Sequence, residues 1–255
     1  MNSQSRVLVH HDKNALMTAV GDLFVVTAKE LLAEQESMHV VLTGGSVGIG
    51  CLAAIGESGD RDSIDWARVH LWWGDERWLP AGDAERNDQQ AHDALLAKIS
   101  IPPANVHRFP ASDAGMELDA AAQAYEADLA GFGVEEGLPR FDVTFLGVGP
   151  DAHIASLFPD KEEIRVTGRN VVPVRNSPKP PPERLSLTLP AINSSDRVWL
   201  VLAGEDKASA LGLALAGASP NEVPVAGVAG RLRTMFFVDE AAAAEVPAEL
   251  IAPDY

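Results

Sequence analysis

The sequence predicts an α/β fold: a three-layer, Rossmann-like arrangement in which a mainly parallel β-sheet carries helices on both faces. Three observations support this fold class. Short apolar runs typical of buried strands alternate with longer segments that have apolar residues at helical spacing. Several of the short runs end in glycine-rich or charged turns, which are common at the carboxyl edge of a parallel sheet. No internal repeat or long linker divides the 255 residues, so a single domain over 1–255 is expected.

The first third of the chain begins this alternation. Residues 7–10 form a short apolar run, and 13–36 places apolar side chains at helical spacing, which predicts a strand followed by a long amphipathic helix. A second strand, 39–42, leads through a glycine turn into a helix predicted over 47–55. A third strand is predicted at 69–73 and ends in the charged segment GDERWLP.

The middle of the chain continues the pattern. Helices are predicted over 85–99 and over the alanine-rich segment 116–129, with a short strand between them at 105–109. Residues 141–146, FDVTFL, form a short β-prone run, which predicts a buried strand at the centre of the fold.

The last third contains the remaining strands. Strands are predicted at 171–174 and 185–189, on either side of a rigid loop with the sequence SPKPPPE. A strand at 198–202 precedes a helix over 208–216. A last strand, 234–238, is followed by an alanine-rich terminal helix.

Composition indicates a globular protein and excludes several classes of function. Apolar residues make up 46% of the chain, and no apolar run approaches the roughly 20 residues that span a bilayer. The net charge of −17 argues against a surface for nucleic acid or for anionic membranes. The single cysteine, Cys51, rules out an internal disulfide, and the N-terminus lacks the layout of a signal peptide. A cytoplasmic protein is therefore predicted.

A local excess of positive charge stands out in this acidic chain. Between 164 and 190 only Glu183 opposes five basic residues, which are Arg165, Arg169, Arg175, Lys179 and Arg184. Arg184 and Lys207 each lie near a strand boundary, where arginine can offer two parallel donors to a phosphate and lysine a compact charge. A small-anion site is one interpretation of this segment, and a solvated basic surface is the other.

The turn after the second strand is a candidate phosphate-binding loop. Gly44 and Gly45 allow backbone N–H groups to approach an anion, Ser46 adds a hydroxyl, and the following helix contributes its dipole. The same stretch also fits the TGxxxGxG loop of short-chain dehydrogenases and the G-x-S-x-G nucleophile elbow of α/β-hydrolases. Neither alternative holds, because the chain has no Tyr-x-x-x-Lys pair and no histidine follows His153.

An acid and an imidazole follow the central strand. Gly147 and Gly149 allow a sharp turn, and Pro150 favours the start of a helix. Asp151 and His153 would then lie at the carboxyl edge of the sheet, where open α/β sheets bind ligands. Histidine is the side chain that most often serves as a general base, although a lone histidine is often purely structural.

The charged segment after the third strand is a further candidate. Two acids and an arginine, Asp75, Glu76 and Arg77, can orient sugar hydroxyls or stabilise a developing negative charge, and a surface ion-pair cluster is the alternative. The remaining histidines show no metal-ligand spacing, so neither a metal nor another cofactor is expected.

Several long blocks, in order along nearly the whole chain, resemble the 6-phosphogluconolactonases. This family belongs to the superfamily that also contains the glucosamine-6-phosphate isomerases. The blocks are LTGGS, WWGDERWLP with the following Arg86-Asn87, FLGVGPDAHIASLFP, SPKPPPERLSLTLPAIN and VLAGEDKA. The resemblance implies hydrolysis of 6-phospho-D-glucono-1,5-lactone to 6-phospho-D-gluconate, the second step of the oxidative pentose phosphate pathway.

The resemblance also implies a role for each candidate residue. His153 would be the general base that activates water, Asp151 would orient it, and Arg77 with Asp75 would face the lactone. The phosphate would be held by Gly44, Gly45, Ser46, Arg184 and Lys207. The implied partner is a small sugar-phosphate lactone, with no nucleic acid and no membrane, and the chain is expected to be a monomer or a weak homo-oligomer.

The chain departs from the family pattern at two places. Val47-Gly48 replaces the Thr-Pro that commonly follows GGS, which removes one hydroxyl. Ala152 replaces the glycine of the common DGH signature, and an alanine there would be strained by roughly 1 kcal/mol if the position has positive φ. Neither change removes an ionisable group, so activity is expected to survive.

Three other classes of function remain as alternatives. A sugar-phosphate isomerase or deaminase shares the superfamily, and ammonia release from glucosamine 6-phosphate would identify it. A serine esterase would be labelled by a fluorophosphonate at Ser46. A non-catalytic sugar-phosphate regulator would bind the product without turning over the lactone.

Overall fold

The computed structural model describes residues 5–244, 246–253 and 255, and its centre is a six-stranded parallel sheet. In chain order the strands of the protein are β1 (Arg6–His10), β2 (Met38–Leu42), β3 (Val69–Trp73), β4 (Asp75–Arg77), β5 (Phe141–Gly147), β6 (Val171–Val174), β7 (Arg184–Leu187), β8 (Arg197–Leu202) and β9 (Arg233–Asp239). The large sheet has the order β1-β9-β8-β5-β2-β3, and all its neighbouring strands run parallel. The predicted central strand, β5, therefore lies in the interior of the sheet and is almost entirely buried.

Helices cover this sheet and complete the predicted α/β fold. They are α1 (Lys13–Glu34), α2 (Gly45–Glu57), α3 (Asn87–Ala94), α4 (Leu118–Gly131), α5 (Leu189–Asn193) and α6 (Ala208–Leu215). Helix α1 begins where the Asp12 carboxylate accepts a hydrogen bond from the backbone N–H of Ala15 at 2.8 Å, and it packs along α2. None of the helices in the described residues combines the length and apolar character needed to cross a membrane. The predicted fold class is confirmed.

A second, smaller sheet begins directly after the carboxyl end of β3. Its three strands, β4, β7 and β6, pair antiparallel. The sequence did not predict β4, because Asp-Glu-Arg has no apolar alternation. Side chains alternate along a strand, so Asp75 and Arg77 point to one side of β4 and Glu76 to the other.

Three predicted elements differ in extent or type. The helix predicted over 85–99 covers only Asn87–Ala94. It begins at Asn87 because the Glu76 carboxylate accepts hydrogen bonds from the backbone N–H groups of Asn87 and Asp88, at 2.7 and 2.9 Å, and so caps the first turn. The strand predicted at 105–109 is wrong, since only Val106 pairs, through one bridge to β3. The strand predicted over 185–189 ends at Leu187, and α5 follows it at once.

The two helices predicted after strands β5 and β9 are also wrong. After β5 the chain forms a loop in which Ala152 and Ala155 have φ of +67° and +47°, a left-handed conformation that no right-handed helix can contain. After β9, residues 240–244 form turns and Ala248–Leu250 forms a single 3-10 turn. Residue 245, within the predicted terminal helix, lies outside the described residues.

A histidine cluster is formed by His39 and His70, in the amino-terminal halves of β2 and β3, and His107, in the segment beside β3. His39 and His70 are cross-strand neighbours with ring centroids 4.7 Å apart, and His70 Nδ1 lies 3.1 Å from His107 Nε2. Trp72 Nε1 donates to His39 Nδ1 at 3.1 Å. Burial lowers the pKa of all three imidazoles, and the two neighbouring rings contribute to lowering that of His39 to about 4. The cluster is therefore neutral in the folded protein at neutral pH.

Candidate active site

A cavity of about 320 Å³ opens at the carboxyl ends of β2, β5 and β8, beside β4 and β7. Eight of the nine predicted site residues line it: Gly44, Gly45, Ser46, Asp75, Arg77, His153, Arg184 and Lys207. The ninth, Asp151, contacts His153 directly. The structure thus brings together residues from five separate segments of the chain. Three of these segments follow the parallel strands β2, β5 and β8, whose carboxyl ends share one edge of the large sheet, and the other two lie on β4 and β7 of the small sheet.

The glycine loop forms one wall of this cavity. Helix α2 begins at Gly45, two residues earlier than predicted, so its free backbone N–H groups face the cavity. Gly45 has φ of +80°, which glycine adopts without strain. The Ser46 hydroxyl accepts a hydrogen bond from Lys13 Nζ at 3.0 Å, which adds a positive charge beside the loop. Such a helix N-terminus can bind a phosphate group.

The Gly44→Ala variant is expected to be less stable than the wild type by about 1 to 3 kcal/mol, the usual cost of overpacking. A Cβ atom on Gly44 would lie 2.0 Å from Asn87 Oδ1, so the loop or α3 must shift, or the buried Asn87 side chain must move and lose its hydrogen bonds to Asp75. Denaturant unfolding measures the difference. Gly59→Ala is the matched control because a Cβ there meets no atom within 4 Å. Equal stability of Gly44→Ala and wild type would contradict the steric account.

Two arginines lie side by side in the wall of the cavity. Arg77 on β4 and Arg184 on β7 are direct cross-strand partners, an arrangement that repels unless an anion lies between or beside them. Burial lowers the pKa of Arg184. The negative charge of Asp75 raises this pKa, and the positive charge of Arg77 lowers it further. Arg77 Nη1 donates to the Glu85 carbonyl, and its buried Nε has no partner among the described residues. Lys207 also lines the cavity, and its Nζ atom lies 3.0 Å from Asp206 Oδ2.

Buried acids hold this arginine-bearing strand in place. Glu76 is only 1% exposed, and burial raises its pKa although Arg86 and backbone N–H groups oppose the rise. Asp75 accepts a hydrogen bond from Ser156 Oγ at 2.6 Å and faces the cavity. Glu76 is therefore a structural residue, whereas Asp75 is available to a ligand.

Asp151 and His153 form a close pair at the cavity wall. Their Oδ1 and Nδ1 atoms are 2.6 Å apart, and the left-handed Ala152 between them turns both side chains to the same side. Burial by itself would raise the pKa of Asp151, but hydrogen bonds and charge from His153 and Lys179 outweigh it and hold that pKa below its usual range. The His153 ring stacks on Phe158 with centroids 4.6 Å apart. In the described part of the chain, Nε2 of His153 has no hydrogen-bond partner.

A glycine is required at position 149 of this turn, because a side chain there would clash with the pair. A Cβ atom on Gly149 would lie 2.0 Å from His153 Nδ1 and 2.4 Å from Asp151 Oδ1. Ala152, which replaces the glycine of the common DGH signature, has a positive φ. The backbone of this chain is therefore strained at that alanine. The two ionisable groups are nevertheless in hydrogen-bond contact.

Sequence reasoning did not assign several residues that shape the site. Lys13 reaches Ser46 from another helix, and no sequence pattern links the two. Phe158 and Ser156 lie in the block that contains His153, so their proximity to it was the available signal. Among the described residues, no group of three or more His, Cys, Asp or Glu side chains is arranged to hold a metal ion.

Comparison with known proteins agrees with this geometry. A family model described as glucosamine-6-phosphate isomerases/6-phosphogluconolactonase matches residues 11–236. The chain is 48% identical to a 6-phosphogluconolactonase of Streptomyces coelicolor over 258 aligned residues, with 99% of each chain covered. It is 47% identical to a 6-phosphogluconolactonase of Mycobacterium leprae, covering 94% of this chain and 98% of the relative. The crystal structure of 6-phosphogluconolactonase from Thermotoga maritima superposes with a TM-score of 0.80 at 26% identity, over 92% of this chain and 99% of that one. The chain therefore belongs to the family of glucosamine-6-phosphate isomerases and 6-phosphogluconolactonases.

Proposed function

We propose that this protein hydrolyses 6-phospho-D-glucono-1,5-lactone to 6-phospho-D-gluconate, with His153 as the general base. The observation that carries this proposal is the Asp151–His153 pair, whose Nε2 atom is free, in a cavity that is lined elsewhere by cations and a helix N-terminus. The names of the relatives support the same reaction. The reaction would serve the oxidative pentose phosphate pathway as its second step.

The phosphate of the lactone is proposed to bind at the glycine loop. Backbone N–H groups of Gly44 to Ser46 would donate to its oxygens, and Arg184 and Lys207 would supply charge. Binding energy from this remote group would hold the ring in place beside His153, which favours reaction by orientation.

In the proposed reaction one proton is transferred twice, first from water to His153 and then from His153 to the ring oxygen of the lactone. Nε2 of His153 would take a proton from water while the water oxygen attacks the lactone carbonyl carbon. The tetrahedral oxyanion that forms would be stabilised by the positive charge of Arg77, with Asp75 orienting sugar hydroxyls. Collapse of this intermediate breaks the bond between the carbonyl carbon and the ring oxygen, and the imidazolium returns its proton to that oxygen. The Asp151 carboxylate favours the transient imidazolium by opposite charge.

A coupled assay tests this function. Freshly generated lactone is added to the protein, and 6-phosphogluconate is followed by its dehydrogenase, with spontaneous hydrolysis subtracted. We expect turnover far above the spontaneous rate. Turnover equal to the spontaneous rate, by a folded sample, would refute the proposal.

A sugar-phosphate isomerase or deaminase is the alternative within the same family. The blocks GDER and SPKPPPER favour the lactonase, and the same sample should release no ammonia from glucosamine 6-phosphate. Ammonia release without lactone turnover would establish the alternative. We further propose a monomer or weak homo-oligomer in the cytoplasm that has no nucleic-acid or membrane partner, for which the net charge of −17 is the support.

A further inference from the structure

Lys179 reaches the Asp151–His153 pair from the proline-rich loop before β7. Its Nζ atom lies 3.1 Å from Asp151 Oδ1 and 3.4 Å from His153 Nδ1. Oδ1 of Asp151 therefore contacts both the imidazole of His153 and the ammonium group of Lys179. Lys179 also lines the cavity.

The short contact between Asp151 and His153 fixes which atoms carry protons. An ionised carboxylate only accepts hydrogen bonds, so at 2.6 Å Nδ1 of His153 must be the donor. The lysine ammonium also only donates, and its 3.4 Å contact with Nδ1 is therefore a contact between two donors. In the neutral imidazole this leaves the lone pair on Nε2.

The backbone that carries Lys179 is held firmly. Arg184 Nη2 donates to the carbonyl oxygens of Lys179 and Pro180 at 3.2 and 2.8 Å, and its Nε donates to that of Pro181 at 3.2 Å. The Ser177 hydroxyl donates to the Lys179 carbonyl at 2.9 Å. Arg184 thus both faces the cavity and fixes the loop from which Lys179 extends.

We propose that Lys179 is a positioning residue whose positive charge offsets the Asp151 carboxylate, so that Asp151 orients His153 without holding its imidazole in the protonated form. The inference rests on the proposed hydrolysis. An acid in contact with an imidazole favours the imidazolium, which cannot act as a base, whereas an adjacent cation disfavours it. Two charged groups contact the imidazole of His153: Asp151 on its own loop and Lys179 on the facing loop. Arg184 lies nearby, with its guanidinium 5.6 Å from the centroid of the Phe158 ring that stacks on His153.

The test is the pH dependence of kcat/KM in the Lys179→Met variant. Without the ammonium group the imidazolium persists to higher pH, so we expect the acid limb of kcat/KM to move up by roughly 0.5 to 1 pH unit. Well below the midpoint of this limb the variant should lose roughly three- to tenfold in kcat/KM, and well above the midpoint it should lie within about twofold of wild type. KM should change by less than about twofold, because phosphate contacts are unaffected.

Two further variants separate positioning from folding. Lys179→Arg keeps a donor and a charge and should restore most of the wild-type profile, and Lys29→Met removes an exposed lysine of α1 and should not change it. If Lys179 only stabilised the fold, Lys179→Met would lose the same fraction of kcat/KM at every pH and would have a lower Tm. Such a loss, or a Lys179→Met profile identical to wild type, would overturn the inference.

A nitrogen NMR titration of the His153 ring in wild type and Lys179→Met gives a readout that does not depend on turnover. The midpoint should be higher in the variant, and an unchanged or lower midpoint would overturn the lysine inference. If the wild type hydrolysed no lactone while the midpoint still rose, the proposed function alone would fail.

Discussion

The His153→Ala variant is expected to lose at least about 10²-fold in kcat, while KM changes by less than about twofold. General-base catalysis typically contributes about 10²- to 10⁴-fold, and Nε2 of this ring has no protein partner that competes for its lone pair in the described residues. The groups proposed to bind phosphate come from the glycine loop, β7 and the segment before α6, so substrate affinity should survive. Steady-state kinetics with fresh lactone measures both constants.

The matched control is His92→Ala, which removes an exposed histidine of α3 and should leave kcat unchanged. Circular dichroism should show that both variants fold, because the His153 ring is stacked on Phe158 but belongs to no strand or helix. A normal kcat in His153→Ala would show that His153 is not the general base, and it would not contradict the proposed phosphate site.

The parts of the site that sequence could predict follow strands with a clear apolar pattern. Strands β2 and β5 are buried and parallel, so their sequences are mostly apolar, and the polar residues that follow them must lie at the carboxyl edge. Gly44 to Ser46 and the Asp151–His153 pair were located in this way. The helix expected after Pro150 was wrong, yet the pair still meets, because left-handed Ala152 brings residues two apart to the same side.

The parts that sequence could not predict depend on contacts between distant segments. Strand β4 exists because it pairs with β7, more than 100 residues later, and not because Asp-Glu-Arg favours a strand. The opposite orientations of Asp75 and Glu76 follow from that pairing alone. The contact of Lys179 with Asp151 likewise requires the loop that Arg184 holds.

The second large effect expected is on stability in acid, and it arises in the histidine cluster far from the cavity residues. In an unfolded chain an imidazole titrates near pH 6.5, whereas burial and the neighbouring rings lower the pKa of His39 in the folded protein to about 4. As pH falls from about 6.5 to about 4 the unfolded state takes up a proton that folded His39 does not, so the free energy of unfolding falls. A pKa difference of this size corresponds to about 3 kcal/mol for His39.

A difference between variants is needed to see this effect, because Glu76 acts in the opposite direction. Burial raises the pKa of Glu76, so the folded state takes up a proton there before the unfolded state does, and acid then favours folding. In His39→Gln the amide oxygen can still accept from Trp72 Nε1, and Glu76 is unchanged. Relative to wild type, the free energy of unfolding of His39→Gln should therefore rise by about 3 kcal/mol between about pH 7 and pH 4, measured by urea denaturation. His11→Gln, at a largely exposed side chain, should show no comparable rise. Parallel pH curves for His39→Gln and wild type would mean that His39 is not held neutral by the fold.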